Sequence, residues 1–298
     1  MSESPPLSTR NHAAFKILRL IRMNEFKEKV TIITGGANGI GKALARTLGS
    51  AGAHVVIGDI NDELGIPLSR EICARGGNAR YQHTDVRNAQ SVSELVAKTV
   101  SVEGKIDYMF NNAGIAVAGD SRDLNLDHWR KVTDVNYWGV VYGSKFAFDA
   151  MAKQGHGHIV NIASLAGLIP FPTNLPYSAT KHAVVGMSMS LRAEGADLGV
   201  NVSVVCPGFI NSNIFQASDM VNVPRIDVVE SIPFKLVETN SAADKILNGV
   251  IHNKAIIVFP IYAKVFWWLY RLKHSLINIL TLKTIRDMRK IRDQVSSK

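Results

Sequence analysis

The chain lacks any uninterrupted apolar stretch of the ~20 residues that a membrane-spanning helix needs. Its most apolar segment, residues 262–282, is broken by Arg271 and Lys273. Residues 12–23 (HAAFKILRLIRM) do not read as a secretory leader, because basic residues interrupt the apolar ones throughout. Their acid-free, basic character leaves organelle targeting or surface anchoring open. Met23 could itself be a translation start, which would place residues 1–22 outside the natural product. Cysteine is scarce. Cys73 falls in a predicted helix and Cys206 in a predicted strand, and both read as buried free thiols, which favours a reducing compartment. No Cys/His cluster has metal-ligand spacing, so no metal site is expected. His156-Gly-His158 reads as a turn entering a strand.

Net charge is missing from the centre of the chain. The whole sequence carries +9. Residues 261–298 contribute +7 (nine Lys/Arg, two Asp/Glu) and residues 1–29 contribute +3 (six Lys/Arg, three Glu), which leaves −1 for the rest. A near-neutral middle without a reading motif excludes a nucleic-acid binder. Basic, apolar ends point instead to an anionic membrane surface.

What is present is a regular alternation. Short apolar strands are predicted at 30–34, 54–59, 80–84, 106–111, 158–163, 200–206 and 255–259. Helical patterns fill 39–51, 62–75, 89–102, 126–153, 177–196 and 241–252 between them. Strands alternating with helices imply an α/β fold with a doubly wound parallel sheet covered on both faces. A single domain is expected: an N-terminal extension (1–28), an α/β core (29–260) and an amphipathic basic tail (261–298).

The first strand runs into Thr34-Gly35-Gly36-Ala37-Asn38-Gly39-Ile40-Gly41 and then a helix. Glycines there let the backbone approach a pyrophosphate, and the helix N-terminus offers free N–H groups. The next strand ends in Asp59, eighteen residues past Gly41. A carboxylate there can bind both adenosine ribose hydroxyls and repels a 2′-phosphate. Neither Asn38 nor Ile60 supplies a cation for such a phosphate, so NAD is expected over NADP. Asp85-Val86 and Asn112-Ala113-Gly114 close the third and fourth strands, where open α/β sheets bind ligands. Further on, Tyr177 and Lys181 stand four residues apart, one helical turn, with Ser164 thirteen residues upstream of Tyr177. A lysine so placed can hold a phenol partly ionised, which suits proton transfer to or from an alcohol.

In this order the motifs resemble the short-chain dehydrogenase/reductase family over residues 29–259. The elements are TGGANGIG, Asp59, Asp85, NNAG (111–114), Asn136, Ser164, YSATK (177–181) and PGFI (207–210). The resemblance implies a seven-stranded Rossmann-type domain and a catalytic tetrad of Asn136, Ser164, Tyr177 and Lys181. It also implies a homo-oligomer with contacts through the helices around 126–153 and 177–196. Tyr177 would be the general acid/base, and Ser164 would hold the substrate oxygen. Lys181 would favour the phenolate and grip the nicotinamide ribose, and Asn136 would hold a water. Gly35, Asn38, Gly39, Ile40, Gly41, Asp59, Ile60, Asp85, Val86, Asn112, Ala113, Gly114, Tyr177, Lys181, Pro207, Gly208, Ile210 and Ser212 would line the cofactor. Ser212 stands where the family usually has threonine and keeps the hydroxyl.

Residues 213–234 read as a substrate lid. Ile214, Phe215, Met220, Val221 and Val223, facing Leu165, Phe171 and Leu175, suggest an apolar pocket; Arg225 reads as solvated. The substrate is therefore expected to be a lipophilic secondary alcohol or ketone of steroid, retinoid, long-chain or terpenoid type. Two alternatives stand beside this: an NADPH-dependent acyl-chain ketoreductase, and a non-catalytic nucleotide sensor. The tail has two readings, an interfacial membrane helix or a helix packed on protein. The expected location is cytoplasmic or peripheral at a membrane surface.

Overall fold

The computed structural model describes residues 24–225 and 234–296. The N-terminal segment to Met23, lid residues 226–233 and the side chain of Phe215 lie outside the described residues. Seven parallel strands form the central sheet: β1 (Val30–Thr34), β2 (His54–Asp59), β3 (Asn78–His83), β4 (Tyr108–Asn111), β6 (Gly157–Ile162), β7 (Val200–Pro207) and β11 (Ile256–Phe259). Their spatial order is β11-β7-β6-β4-β1-β2-β3. The chain starts in the middle at β1, winds outward through β2 and β3, then returns to β4 and winds the other way. A crevice therefore opens beyond the carboxyl ends of β1 and β4, the place where such sheets bind ligands.

Successive β1 side chains point to opposite faces, so Ile33 and Ile32 nucleate different cores. Ile33 packs with Leu44 and Leu48 of α1 (Gly39–Ser50), Ile72 of α2 (Asp62–Ala74), and Ile246 and Val250 of α8 (Thr239–Ile251). Ile32 packs with Leu95 of α3 (Ala89–Glu103) and Met151 of α5 (Gly139–Gln154). Both faces are covered, which explains strands with little polar alternation.

The helical pattern expected over 126–153 is not one helix. Leu126–Thr133 forms α4, Asp134–Trp138 is a turn of π-helix, and α5 follows. The wider turn takes in an extra residue and re-aims the backbone there. It buries Asn136 completely. The helix after Ser164, α6 (Leu175–Glu194), begins two residues before Tyr177, with Pro176 in its first turn. Cys206 is buried as expected, but Cys73 is exposed. It lies on the solvent side of α2, whose apolar residues Leu68 and Ile72 face the sheet.

Two small ladders frame the crevice. β5 (Val117–Gly119) pairs with β9 (Asp219–Val221), and β8 (Ile210–Asn211) pairs with β10 (Val237–Glu238); α7 (Ile214–Ala217) is a single turn between them. The C-terminal extension forms α9 (Ile261–Leu272) and α10 (His274–Ser296). Ala263 of α9 is fully buried, and Tyr262, Phe266, Trp267 and Tyr270 pack on the core. Among the described residues no helix is long and apolar enough to cross a membrane.

Candidate active site

The glycine-rich turn is shaped by the backbone it must approach. Gly35 and Gly39 adopt left-handed conformations (φ +60° and +53°) that side chains rarely allow. A Cβ on Gly41 would lie 2.2 Å from the Gly35 carbonyl oxygen, so only glycine lets α1 start this close to β1. The Asn38 side-chain oxygen accepts from the Gly39 N–H at 2.7 Å and caps α1.

Thr34 and Asn112 lock this turn to the neighbouring strand end. The Thr34 hydroxyl accepts from the Asn112 N–H at 3.1 Å, and the Asn112 amide donates to the carbonyls of Thr34 (3.1 Å) and Gly35 (2.8 Å). The Asn112 side chain is thus scaffold, holding the two ligand-facing loops together. Asn111 below it joins a buried network with Ser144, Asn161 and Ser188.

Asp59 reaches back over the turn. One carboxylate oxygen accepts from the Ala37 N–H at 2.9 Å and the other from the Asn61 N–H at 3.0 Å. Ile60 beside it is largely exposed. Asp85 turns to Arg87, held by three side-chain hydrogen bonds of 2.7–3.1 Å that keep its carboxyl below the usual range. Val86 is buried against Gly139, at the start of α5. Across the crevice, a Cβ on Gly39 would stand 3.4 Å from Cβ of Ser212, so the cradle and the segment after β7 face each other.

Of the four residues expected to carry the chemistry, Tyr177 lies beside Lys181, and Lys181 and Asn136 meet at Gly114. A Cβ there would lie 3.4 Å from Oδ1 of Asn136 and 3.5 Å from Nζ of Lys181. The Asn136 amide bridges Ile115 in both directions, accepting from its N–H (2.8 Å) and donating to its carbonyl (2.9 Å). It also reaches the Thr180 hydroxyl at 3.4 Å. Lys181 is buried and donates to the Ile162 carbonyl at 2.8 Å. Burial lowers its pKa to about 8. Its ammonium lies 5.4 Å from the centroid of the Tyr177 ring. Burial raises the Tyr177 phenol, and the Ser164 side chain pulls the other way. Cys206 closes the back of this cluster, its thiol pushed up to about 12 by burial.

Of the expected pocket residues, Leu165 and Val223 are buried, Met220 and Val221 are partly buried in β9, and Leu175 is exposed. Arg225 is exposed and donates to the Ser218 carbonyl at 2.8 Å. Phe171 meets Phe209 at 5.9 Å between ring centroids. Thr34, Thr180 and Tyr262 serve the site without having been expected to. Thr34 lies inside the glycine motif and Thr180 inside the Tyr-Lys motif, whereas no motif marks Tyr262. Among the described residues, no group of His, Cys, Asp or Glu is placed to hold a metal ion.

A parallel sheet with a glycine cradle at its switch point and a Ser-Tyr-Lys cluster beside it defines a dinucleotide-dependent oxidoreductase. The short chain dehydrogenase family model matches residues 29–221. The chain belongs to that family. It is 39% identical over 191 residues to the 2,5-dichloro-2,5-cyclohexadiene-1,4-diol dehydrogenase LinX of Sphingobium indicum, covering 64% of this chain and 76% of that one. It is 36% identical over 207 residues to a cyclohexanol dehydrogenase of an Acinetobacter species (68% and 82% covered). A short chain dehydrogenase/reductase of Burkholderia phymatum, solved in complex with NAD, superposes with a TM-score of 0.79 at 26% identity, over 85% of this chain and 96% of that one.

Proposed function

We propose that this protein transfers a hydride between NAD and a lipophilic secondary alcohol or ketone, with Tyr177 as general acid/base. The observation that carries the reading is the Lys181 ammonium 5.4 Å from the Tyr177 ring, with Asn136 and Gly114 next to Lys181. The residues fit a dinucleotide: Gly41 lets the N-terminus of α1 close on the Gly35 carbonyl, and Gly114 brings the loop after β4 up to Asn136 and Lys181. Gly35–Gly41 would take the pyrophosphate, Asp59 the adenosine ribose, and Gly114, Lys181 and Pro207–Ser212 the nicotinamide half. The nicotinamide, when bound, supplies the hydride acceptor.

In alcohol oxidation the Tyr177 phenolate oxygen takes the hydroxyl proton. The carbinol hydrogen leaves with its electron pair and the C–O bond becomes a carbonyl. Ser164 Oγ hydrogen-bonds the substrate oxygen and fixes its distance from Tyr177. Lys181 holds positive charge at the site, and Asn136 fixes the loop at Ile115 beside it. In ketone reduction the phenol returns the proton.

NAD is favoured over NADP because the Asp59 carboxylate stands where a 2′-phosphate would sit, and the nearby Arg87 is occupied by Asp85. An apolar substrate is supported by Leu165, Phe171, Met220, Val221 and Val223 at the site's edge. The alicyclic alcohols in the relatives' names are of the same character. The test is a panel of alicyclic, steroid, retinoid and long-chain alcohols with NAD or NADP, followed at the reduced-nicotinamide absorbance. Asp59→Asn is expected to raise the NADP/NAD ratio of kcat/KM at least about tenfold; an unchanged ratio contradicts the Asp59 assignment.

The reading includes assembly and a membrane surface. Trp138 is exposed on the π turn and stacks on Tyr142 at 5.8 Å, which supports a homo-oligomer through this face. On α9, Ile261, Val265, Trp268 and Leu272 recur every three or four residues and are exposed. They lie opposite Ala263, Phe266 and Tyr270, which pack inward. Lys264 and Arg271 flank this stripe, and α9 carries no acidic residue. These charges suit the anionic cytoplasmic leaflet; a second copy docked on this face would bring like charges together. Co-sedimentation with phosphatidylserine-containing vesicles is expected for the protein and lost in Trp268→Glu. Equal binding of both proteins, or of neither, overturns the membrane contact.

A further inference from the structure

The segment that leaves β7, residues 207–212, forms the wall opposite the glycine cradle. Three backbone hydrogen bonds hold its first half. The Gly208 N–H donates to the Phe259 carbonyl at 2.7 Å, and the Phe209 carbonyl accepts from the Val237 N–H at 3.0 Å. The third partner is a side chain: the Phe209 N–H donates to Oη of Tyr262, in the first turn of α9, at 2.8 Å. Tyr262 also sets the spacing here, since a Cβ on Gly208 would lie 2.5 Å from its Oη. Its ring stacks on Phe234 at 4.2 Å and lies 6.5 Å from Phe209, which in turn meets Phe171. Fifty-three residues separate Phe209 from Tyr262, and the contact joins the C-terminal extension to the crevice wall.

We propose that Tyr262 is a positioning residue for the nicotinamide half of the cofactor site. Its hydroxyl oxygen, by fixing the Phe209 N–H, holds Pro207–Ser212 at the height the nicotinamide needs. The C-terminal extension is thereby part of the cofactor site. This inference rests on the reading above that Pro207–Ser212 borders the nicotinamide.

The test uses Tyr262→Phe in the full chain, which keeps the ring stack and removes the acceptor. NADH and ADP-ribose affinities are compared, because ADP-ribose carries the whole nucleotide except the nicotinamide. A buried donor left without a partner weakens what it positions, so NADH affinity is expected to fall about five- to twentyfold. ADP-ribose affinity should stay within about twofold, and KM for NAD should rise more than kcat falls. Equal weakening of both ligands, or no change in either, overturns the proposal. Ser212→Ala separates the two layers of the argument. If it also weakens NADH selectively while Tyr262→Phe does not, only the role of Tyr262 fails. If it and Tyr262→Phe both leave the NADH-to-ADP-ribose ratio unchanged, the placing of Pro207–Ser212 fails with it.

Discussion

Lys181 does not form an ion pair with Tyr177. Its ammonium lies 5.4 Å from the phenol ring centroid and donates its hydrogen bond to the Ile162 carbonyl at 2.8 Å. Each group is pushed toward its neutral form by burial, Lys181 down to about 8 and Tyr177 up. The Tyr177–Lys181 pair is therefore held under electrostatic tension by the fold, as sites tuned for proton transfer commonly are.

That tension has a sign in stability. Lys181 titrates near 8 in the folded protein against 10.5 in water. Its contribution is present in full above about pH 10.5 and is lost as pH falls through 8, because the unfolded chain then holds the proton more readily. At pH 7 the buried charge costs on the order of 3 kcal/mol. Lys181→Met, which keeps the volume and removes the charge, should melt no lower than the unmodified protein at pH 7 while losing most activity. Its relative advantage should shrink above pH 8. Thermal scans across pH 6–10 with matched turnover assays check this; a clear drop in Tm at pH 7 contradicts it.

His158 gives a second pH window, away from the site. It is buried, with Nε2 2.8 Å from the Ser203 hydroxyl, and burial, helped by the charge of Arg192, lowers its pKa to about 4. The neutral ring stabilises the fold above pH 6.5, and that contribution is lost as pH falls from 6.5 through 4. Stability measured by denaturant titration should fall over this window by a few kcal/mol. His158→Gln should flatten the slope between pH 6.5 and 4.5, whatever its effect at neutral pH. An unchanged slope would show that other groups set it.

The tail is tied to the crevice rim by ions. Arg289 donates to Asp120 at 2.8 Å and Arg292 to Asp123 at 2.6 Å, each 169 residues away in sequence. Asp120 is buried, and Arg122 together with Arg289 holds its carboxyl well below the ordinary range. Asp120 immediately follows β5, which pairs with β9. Arg289→Ala with Arg292→Ala should free α10 at a cost of about 1–3 kcal/mol, since Asp123 loses its arginine and Asp120 keeps only Arg122. Hydrogen exchange should then speed up in residues 274–296 and in 117–123 together. Faster exchange in the helix alone would deny the link to the rim.

The parallel α/β fold was legible in the sequence because its strands are short, apolar and separated by helical periods. The crevice residues were legible because tight turns demand particular types: glycine at 35, 39 and 41, a carboxylate at 59. What escaped notice depends on tertiary geometry. The π turn at 134–138 leaves the local helical pattern intact, so Asn136 looked like a residue in an unbroken helix. Asn112 belongs to a ligand-facing motif, yet its amide is taken up in joining two loops. Cys73 lies on an amphipathic helix whose apolar face passes beside it. Tyr262 lies beyond the last recognisable motif, and only packing of α9 brings it to Phe209. Of the tail's two readings, packing on protein is the one α9 displays, its inner face lying on the core.

The central claim is that Tyr177 moves the proton. The most direct test follows NADH formation from NAD and cyclohexanol, or the best alcohol of the panel, in the unmodified protein and in Tyr177→Phe. NAD binding is measured separately. The account expects turnover to fall about 10²–10⁴-fold in the variant with NAD affinity nearly unchanged. A variant that binds NAD and turns over as fast as the unmodified protein would contradict it.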